Sequence, residues 1–361
     1  DYVAPTGAAG YNEIVASLLL GNTLKQSLAD RRVTVQTPGG CGGLRIAAEF
    51  IRQANPKATA WVSDPTWANH IPLLGSAGIQ FEKYPYYDYD THAVKFDEML
   101  ECLSKVPKGD LVLLHGLFGQ GTNLRSVARA LEADFRVHCL DLPDHGRSAW
   151  LDTASLAAYA AAVHGWMDQH ELKVAHLLGH SLGGKVAMEL ALTEPPRVGK
   201  LVVADMAPVT YAEHHQVILD ALQQVAAQGC QTRAEAEEML GEVIEDLGVV
   251  GYLLMSLERA AKNGPYQWRF NLASLAEAYG RLREAPTEAA LFQGHVLFLK
   301  GSESAYIQAS HEPEIQRRFP CSQLVTVNQA GHWLHIDQPE AFNGAVRDFL
   351  LAEERLAERA P

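Results

Sequence analysis

From about residue 109 onward, short apolar or β-branched runs alternate with longer amphipathic stretches. Six of the short runs have the length and composition of buried strands: residues 111–115, 137–140, 174–178, 201–205, 296–299 and 323–327. The stretches between them include three predicted helices, at residues 155–169, 183–192 and 339–351. This alternation predicts an α/β fold, in which helices cover both faces of a mostly parallel sheet.

One interval interrupts the alternation. Residues 206–290 contain several helical patterns and no clear strand. An insertion of this kind between two strands predicts a helical cap that lies over the sheet.

The first 108 residues form a separate segment. A glycine-rich turn at residues 37–43 leads into a predicted helix at 44–54, and predicted strands follow at 59–62 and 80–84. The junction at residues 107–109 has no flexible linker composition. We therefore predict two domains, residues 1–108 and residues 109–361.

Composition excludes several classes of protein. Of the 361 residues, 47% are hydrophobic and 20% charged, which is typical of a globular protein, and the formal net charge of −13 disfavours nucleic acid binding. No apolar run reaches the roughly 18 residues needed to span a bilayer, and the N-terminus lacks the pattern of a secretory leader. The cysteines are odd in number, widely spaced and without a CxxC motif, as expected of reduced thiols in a cytoplasmic protein: Cys41, Cys102, Cys139, Cys230 and Cys321.

The strongest chemical signal is a G-x-S-x-G motif centred on Ser181. A predicted strand enters the motif and a predicted helix leaves it. Glycines at 179 and 183 permit the tight turn that lifts a serine hydroxyl clear of a sheet, and the start of the helix offers N–H groups to a developing oxyanion. The pattern predicts that Ser181 is a catalytic nucleophile.

A serine nucleophile needs a base and an orienting acid. His332 follows the last predicted strand directly, after Gly331, and is the predicted base; His335 is the alternative. Asp205 ends the strand that follows the nucleophile's helix, 24 residues after Ser181, and is the predicted acid. Glu303, which follows the next strand, is the alternative.

Six segments together resemble the small bacterial acyl esterases of the α/β-hydrolase superfamily and the mammalian abhydrolase-domain lipid hydrolases. They are HGLFG (115–119), DLPDHGRS (141–148), GHSLGGKVAMELAL (179–192), LVVADMAPVTY (201–211), WRFN (268–271) and AGHWLH (330–335). In this subgroup the acid is the aspartate of a D-x-A-P segment, which corresponds to Asp205. Most other α/β-hydrolases place an aspartate after the next strand, where this chain has Gly301-Ser302-Glu303-Ser304.

The resemblance also implies an oxyanion hole and a substrate pocket. The expected oxyanion donors are the backbone N–H groups of Leu117, alternatively Phe118, and of Leu182, while His115 orders the turn before them. The cap is rich in leucine, methionine and aromatic residues, which implies an apolar acyl pocket. The predicted substrate-binding residues are Met206, Tyr211, Leu254, Trp268 and Trp333.

These features predict a carboxylesterase that hydrolyses short- to medium-chain acyl esters through an acyl-enzyme. The same triad also supports thioester or C–C bond hydrolysis, whereas the serine excludes the branches that use an aspartate nucleophile, the haloalkane dehalogenases and epoxide hydrolases. We expect a small-molecule substrate, no cofactor and no metal ion. Residues 1–108 are a candidate surface for homo-oligomer formation.

The first segment resembles a different family, the aspartate and aromatic aminotransferases, which depend on pyridoxal phosphate. The similar stretches lie at residues 2–22, 35–51, 61–70 and 84–100. In that family the glycine-rich turn helps hold the cofactor phosphate, and a tryptophan that corresponds to Trp67 stacks on the cofactor ring. Cys41 occupies the place of an expected hydroxyl residue.

The rest of the aminotransferase is missing, including the Schiff-base lysine, the partner of the ring nitrogen and the substrate-binding arginine, so transaminase activity is not expected. Residues 112–116 (VLLHG) fit both families, which indicates a chimera joined at a shared short sequence. We expect the strands of the first segment to extend the free edge of the hydrolase sheet.

Overall fold

The structure is a computed structural model, and it describes residues 4–28, 32–54, 56, 58–104, 109–261, 264–287 and 290–352. The chain divides into two compact units, Asp1–Val106 and Pro107–Pro361. Residues 107 and 108 of the predicted junction lie outside the described residues. Within the described part of the chain, no helix is both long and apolar enough to cross a membrane.

The first unit is built from helices and short strands. Its elements are α1 (Ala9–Ser27), α2 (Gly39–Ala54), β1 (Thr59–Asp64), α3 (His70–Ser76), β2 (Gln80–Pro85), β3 (Tyr87–Asp88), β4 (Ala93–Val94) and α4 (Phe96–Ser104). β1 pairs in parallel with β2 over six residues in a sheet of its own, and β3 pairs with β4 in another. The expectation that these strands extend the hydrolase sheet is therefore wrong, because β1 and β2 pair with each other in a separate two-stranded sheet.

The second unit has the predicted α/β fold. Its elements are β5 (Asp110–Leu114), α5 (Arg125–Leu131), β6 (Arg136–Leu140), α6 (Leu156–Gln169), β7 (Ala175–His180), α7 (Leu182–Thr193), β8 (Val198–Ala204), α8 (Gln216–Gln228), α9 (Arg233–Gly241), α10 (Leu247–Leu254), β9 (Leu257–Arg259), β10 (Tyr266–Trp268), α11 (Leu272–Leu282), β11 (Val296–Gly301), α12 (Glu312–Arg318), β12 (Ser322–Val327), α13 (Leu334–Asp337) and α14 (Pro339–Leu351). Six strands form one parallel sheet in the order β12-β11-β8-β7-β5-β6. The fold class is confirmed.

The sheet buries both of its faces, as the near-continuous apolar strands require. Successive residues of β5 point to opposite faces, so that Val112 and Leu114 join the core beneath α6, α7 and the cap. Leu111 and Leu113 join a second core with α5 and α14. All four side chains are fully buried. Because the strands are parallel and enclosed, their carboxyl ends meet at one edge, where the candidate catalytic residues lie.

The cap lies between β8 and β11 and contains α8, α9, α10 and α11, as predicted. It also contains an antiparallel pair, β9 and β10, so the prediction of a cap without strands is wrong. Each of these strands is three residues long. A run of three residues is too short to show the alternation from which a strand is predicted.

A buried lysine on α7 holds the two segments through which the chain enters and leaves the cap. Lys185 on α7 is 2% exposed, and its ammonium donates hydrogen bonds to the backbone carbonyl oxygens of Val209, Arg283 and Glu284. Val209 lies where the chain enters the cap, and the other two carbonyls lie where it leaves. Burial lowers the pKa of Lys185 to about 7. Its three carbonyl acceptors use all three protons of the charged amine.

Candidate active site

Ser181 occupies a strained turn between β7 and α7. Its φ is 54°, in the left-handed region that residues other than glycine rarely adopt. The turn needs both flanking glycines, because a Cβ on Gly179 would lie 2.2 Å from the carbonyl oxygen of Gly183. A Cβ on Gly183 would lie 2.2 Å from the carbonyl oxygen of Leu114. This is the geometry expected of a nucleophile elbow, which presents the hydroxyl at the end of the sheet.

Asp205 and His332 are joined by a hydrogen bond. Asp205 follows β8 directly, is fully buried, and accepts from Nδ1 of His332 at 2.8 Å through Oδ2. Its other oxygen, Oδ1, accepts from the backbone N–H of Gly301 at 3.2 Å. An aspartate in this position fixes the tautomer and orientation of an imidazole, leaving Nε2 free to accept a proton.

Ser304 is a third partner of the Asp205 carboxylate, and sequence reasoning did not assign it a role. Its hydroxyl donates to Oδ2, the same oxygen that accepts from His332. A signal was present in the sequence, because Ser304 lies directly after β11, in the segment that also holds the alternative acid Glu303. The Glu303 side chain, the alternative acid, is exposed.

The two candidate histidines lie in different environments. His332 lines a cavity of about 230 Å³ together with Ser181. His335 is 4% exposed, packs against His180 and Phe342, and has no hydrogen-bond partner for Nδ1 among the described residues. Burial lowers the pKa of His335 to about 4. His335 therefore has the position of a packing residue behind the site.

Ser181 and His332 share the cavity, but the described residues show no hydrogen bond between the Ser181 hydroxyl and the imidazole. Such contacts are often long in the absence of substrate and tighten when it binds. The ring of Tyr306 stacks on that of His332, with centroids 3.9 Å apart and an angle of 18° between the planes. The Tyr306 hydroxyl hydrogen-bonds Nε2 of His214 at 3.1 Å and Nε2 of His215 at 3.3 Å, which links the base to the cap.

The loop after β5 carries the candidate oxyanion donors. The N–H of Phe118 donates to Nε2 of His145 at 3.2 Å, so it is not available to an oxyanion. The N–H of Leu117 makes no hydrogen bond with any described residue. The predicted donors therefore narrow to Leu117 and Leu182.

Two cap residues hold this loop from above. The Tyr252 hydroxyl donates to the carbonyl oxygen of Leu117 at 3.1 Å, and the Ser256 hydroxyl donates to that of Phe118 at 2.8 Å. The sequence carries no local signal for these contacts, because the partners are separated by 135 and 138 residues. Loop and cap are thus coupled at the place where an oxyanion would bind.

Two buried histidines support the loop in their neutral form. His115 donates from Nδ1 to the Gly116 carbonyl and accepts at Nε2 from the Leu142 N–H, the ordering role expected of it. His145 donates from Nδ1 to the Pro143 carbonyl and accepts at Nε2 from Phe118. Because burial disfavours the charged ring, the pKa of His115 falls to about 3 and that of His145 to about 4.

The free energy of unfolding should therefore decrease as the pH falls from 6.5 to 4. Below pH 6.5 the unfolded chain binds protons that the folded chain excludes, so each of the two histidines should cost about 2 kcal/mol at pH 5. Urea unfolding at several pH values measures this. His145→Gln, which keeps one donor and one acceptor, should lose less stability on acidification than the wild type. Equal pH dependence in the two proteins would contradict the assignment.

The predicted substrate-binding residues divide into two groups. Trp333 lines the cavity of about 230 Å³, and Met206 and Tyr211 line a second cavity of about 40 Å³ that also reaches Ser181. Leu254 and Trp268 lie instead in the core of the cap, 2% and 7% exposed. Trp268 stacks on Phe270 and donates from Nε1 to the Leu222 carbonyl, so its ring is used in packing.

The described part of the first unit shows no lysine placed to form a Schiff base with pyridoxal phosphate. Each lysine that the structure describes there is paired with a carboxylate: Lys25 with Glu13, Lys83 with Asp64, and Lys95 with Asp88. Trp67 is 49% exposed and contacts His70 edge to face. A Schiff base needs a lysine next to the cofactor ring, whereas the ring contact described for Trp67 is with His70.

Comparison with known proteins agrees with the division of the chain into two units. Residues 111–345 match the model of the alpha/beta hydrolase family, and residues 1–117 match that of aminotransferase class I and II. The chain is 38% identical over 248 residues to sn-1-specific diacylglycerol lipase ABHD11 of Mus musculus, covering 66% of this chain and 80% of that protein. A solved structure, described as a marine microorganism esterase, is 35% identical with a TM-score of 0.64, covering 66% of this chain and 94% of its own.

The first segment is 41% identical over 116 residues to aspartate aminotransferase of Haemophilus influenzae, which covers 32% of this chain and only 29% of that enzyme. The matches therefore follow the two units, with the larger one carrying the candidate site. The chain belongs to the alpha/beta hydrolase family, as a serine hydrolase preceded by an aminotransferase-like segment.

Proposed function

We propose that this protein hydrolyses short- to medium-chain carboxylic esters through an acyl-enzyme on Ser181, with His332 as base and Asp205 as the orienting acid. The observation that carries the proposal is the 2.8 Å hydrogen bond from His332 Nδ1 to the buried Asp205 carboxylate, on an imidazole that lines the cavity of Ser181. The similarity to proteins described as a lipase and an esterase supports the same reaction class.

In the first half-reaction, Nε2 of His332 takes the proton of the Ser181 hydroxyl while the serine oxygen forms a bond to the ester carbonyl carbon. The electron pair of the carbonyl bond moves to its oxygen, which accepts from the N–H groups of Leu117 and Leu182. The tetrahedral species then collapses, the C–O bond to the alcohol breaks, and the imidazolium gives its proton to the departing oxygen. Asp205 stabilises the imidazolium without taking its proton.

In the second half-reaction, water replaces the alcohol. Nε2 takes a proton from water as the hydroxide oxygen bonds to the acyl carbon, and the same N–H groups stabilise the second oxyanion. The bond to Ser181 breaks, the serine oxygen recovers a proton from the imidazolium, and the carboxylic acid leaves. The hydrogen bond between Ser304 and Asp205 holds the carboxylate in place through both halves.

The proposal is tested by two measurements on the intact chain. Hydrolysis of p-nitrophenyl esters of increasing acyl length should be detectable, and a fluorophosphonate should attach to one serine, which peptide mass spectrometry should identify as Ser181. A matching series of thioesters distinguishes a thioesterase from a carboxylesterase. No turnover of any ester together with an unlabelled Ser181 would contradict the proposal.

The identity of the acid is tested by a pair of substitutions. Asp205→Asn should lower kcat by about 10⁴-fold, because the amide favours the wrong imidazole tautomer while leaving the geometry nearly unchanged. Glu303→Gln removes the same charge from the exposed alternative and should leave kcat unchanged. Steady-state kinetics on one p-nitrophenyl ester measures both, and a larger loss in Glu303→Gln would reverse the assignment.

A further inference from the structure

Two cavities of unequal size meet at Ser181. One measures about 230 Å³ and the other about 40 Å³. Both are bounded by Leu117, Ser181, His215 and Tyr306, so they open on the nucleophile from two sides. An ester whose carbonyl carbon lies at Ser181 can therefore place one substituent in each cavity.

The two cavities differ in which catalytic group they contain. His332 and Trp333 line the larger cavity and not the smaller one. The smaller cavity is lined by Leu182, whose N–H is a proposed oxyanion donor, and by Met206. Because the departing alcohol oxygen must receive its proton from the imidazole, the alcohol has to leave from the side where His332 lies.

We infer that the larger cavity binds the alcohol portion of the ester and the smaller cavity binds the acyl group, so that the substrates are esters of short acids with bulky apolar alcohols. This inference rests on the proposed function and specifies the substrate class of the same site. It assigns each side of the scissile bond to a different set of side chains.

The smaller volume favours a short acyl group. A single bound water needs about 10–15 Å³, so a cavity of about 40 Å³ favours a group of only a few heavy atoms, such as an acetyl to butyryl chain. Lys185 lies at this cavity, but its three protons are donated to backbone carbonyls. The cavity therefore offers this ammonium to no acyl carboxylate.

The walls of the larger cavity set the alcohol. Ile218, Val249, Leu253 and Trp333 give it an apolar lining large enough for an aromatic ring. Each cavity also has a side chain that the other lacks: Leu282, at the end of α11, lines the smaller one, and Val249, on α10, lines the larger one. These two residues allow the cavities to be changed separately.

The experiment measures kcat/KM on two ester series with the full chain. The first keeps p-nitrophenol and varies the acid from acetyl to octanoyl. The second keeps the butyryl group and varies the alcohol among ethyl, benzyl and 2-naphthylmethyl, whose oxygens have similar basicity. The wild type should lose at least about tenfold between butyryl and octanoyl esters and gain at least about tenfold from ethyl to naphthylmethyl esters, the scale expected for fit in an apolar pocket.

Variants then separate the two sides. Leu282→Ala should move the preferred acyl chain to a longer one without changing the order of alcohols, and Leu282→Phe should restrict the enzyme further toward acetyl esters. Val249→Ala should change the ratio between benzyl and naphthylmethyl esters and leave the acyl profile unchanged. Because the wild-type profiles already decide the sizes, the test does not depend on any one variant folding.

Preference of the wild type for octanoyl over butyryl esters would overturn the inference, as would a change of alcohol preference in Leu282→Ala without a change in acyl preference. In both cases ester hydrolysis itself would still be observed, and the proposed function would stand. A wild type inert on every ester of both series would contradict the proposed function and the inference with it.

Discussion

Ser181→Ala should lower kcat for ester hydrolysis by about 10⁶-fold, the effect of removing the nucleophile from an established triad. Without the hydroxyl no acyl-enzyme forms, and the residual rate comes from water attack assisted by the oxyanion donors. The substitution should cost almost no stability, because the Ser181 side chain makes no capping hydrogen bond at the start of α7. Kinetics and urea unfolding on the same preparations measure the two effects.

Ser155→Ala is the matched control. Its hydroxyl accepts from the N–H of Ala158 and caps α6, so removing it should lower the free energy of unfolding by about 1 kcal/mol and leave kcat unchanged. Each variant loses one hydroxyl, but Ser181→Ala should change only kcat and Ser155→Ala should change only the free energy of unfolding. Substantial hydrolysis by Ser181→Ala would exclude the acyl-enzyme on this residue and redirect attention to another nucleophile.

The fold of the second unit could be predicted because its signals are local. The strands β5, β7 and β8 are almost wholly buried and therefore mostly apolar, and the intervening helices repeat with a different period. The G-x-S-x-G turn and the residues at the strand ends follow from the same pattern. Asp205 and His332 are predictable because each follows a parallel strand, and the carboxyl ends of parallel strands share one edge.

The remaining details of the site and the cap could not be predicted, because they depend on contacts between residues far apart in the sequence. Tyr252 and Ser256 reach the Leu117–Phe118 loop from the cap, and Tyr306 stacks on His332 from a loop after β11. Leucine and tryptophan content predicts that a cap is apolar, but it does not say which side chains face the cavity and which face the cap's own core. The sequence therefore predicts Trp268 in the pocket, whereas its indole N–H donates to a carbonyl of α8.

In the first unit, the pairing partners of the strands could not be predicted for the same reason. A free edge of the hydrolase sheet could pair with another strand, and the first segment contains two candidate strands. The sequence gives no measure of how well β1 and β2 pair with each other, and they do so in parallel over their whole length. Local periodicity predicted both strands, and long-range pairing decided their partners.

His332→Ala should reduce kcat by about 10⁶-fold, like the loss of the nucleophile, because the serine and its base act as one unit. Several contacts hold His332 in place, among them the hydrogen bond from Nδ1 to Asp205 and the stacked ring of Tyr306. Its backbone carbonyl also accepts from Nε2 of His180. The double variant of Ser181→Ala with His332→Ala should be no less active than either single variant. Additive losses would show that the two residues do not act together.

His335→Leu is the matched control, three residues away on α13. The His335 ring packs between His180 and Phe342 behind the site, and its Nδ1 has no partner among the described residues. Leucine retains the packing and removes a buried polar atom whose lost hydrogen bond costs about 1–3 kcal/mol, so the variant should be at least as stable as the wild type. Its kcat should be nearly unchanged. If His335→Leu were inactive and His332→Ala active, the base would be His335, and the bond from His332 to Asp205 would be purely structural.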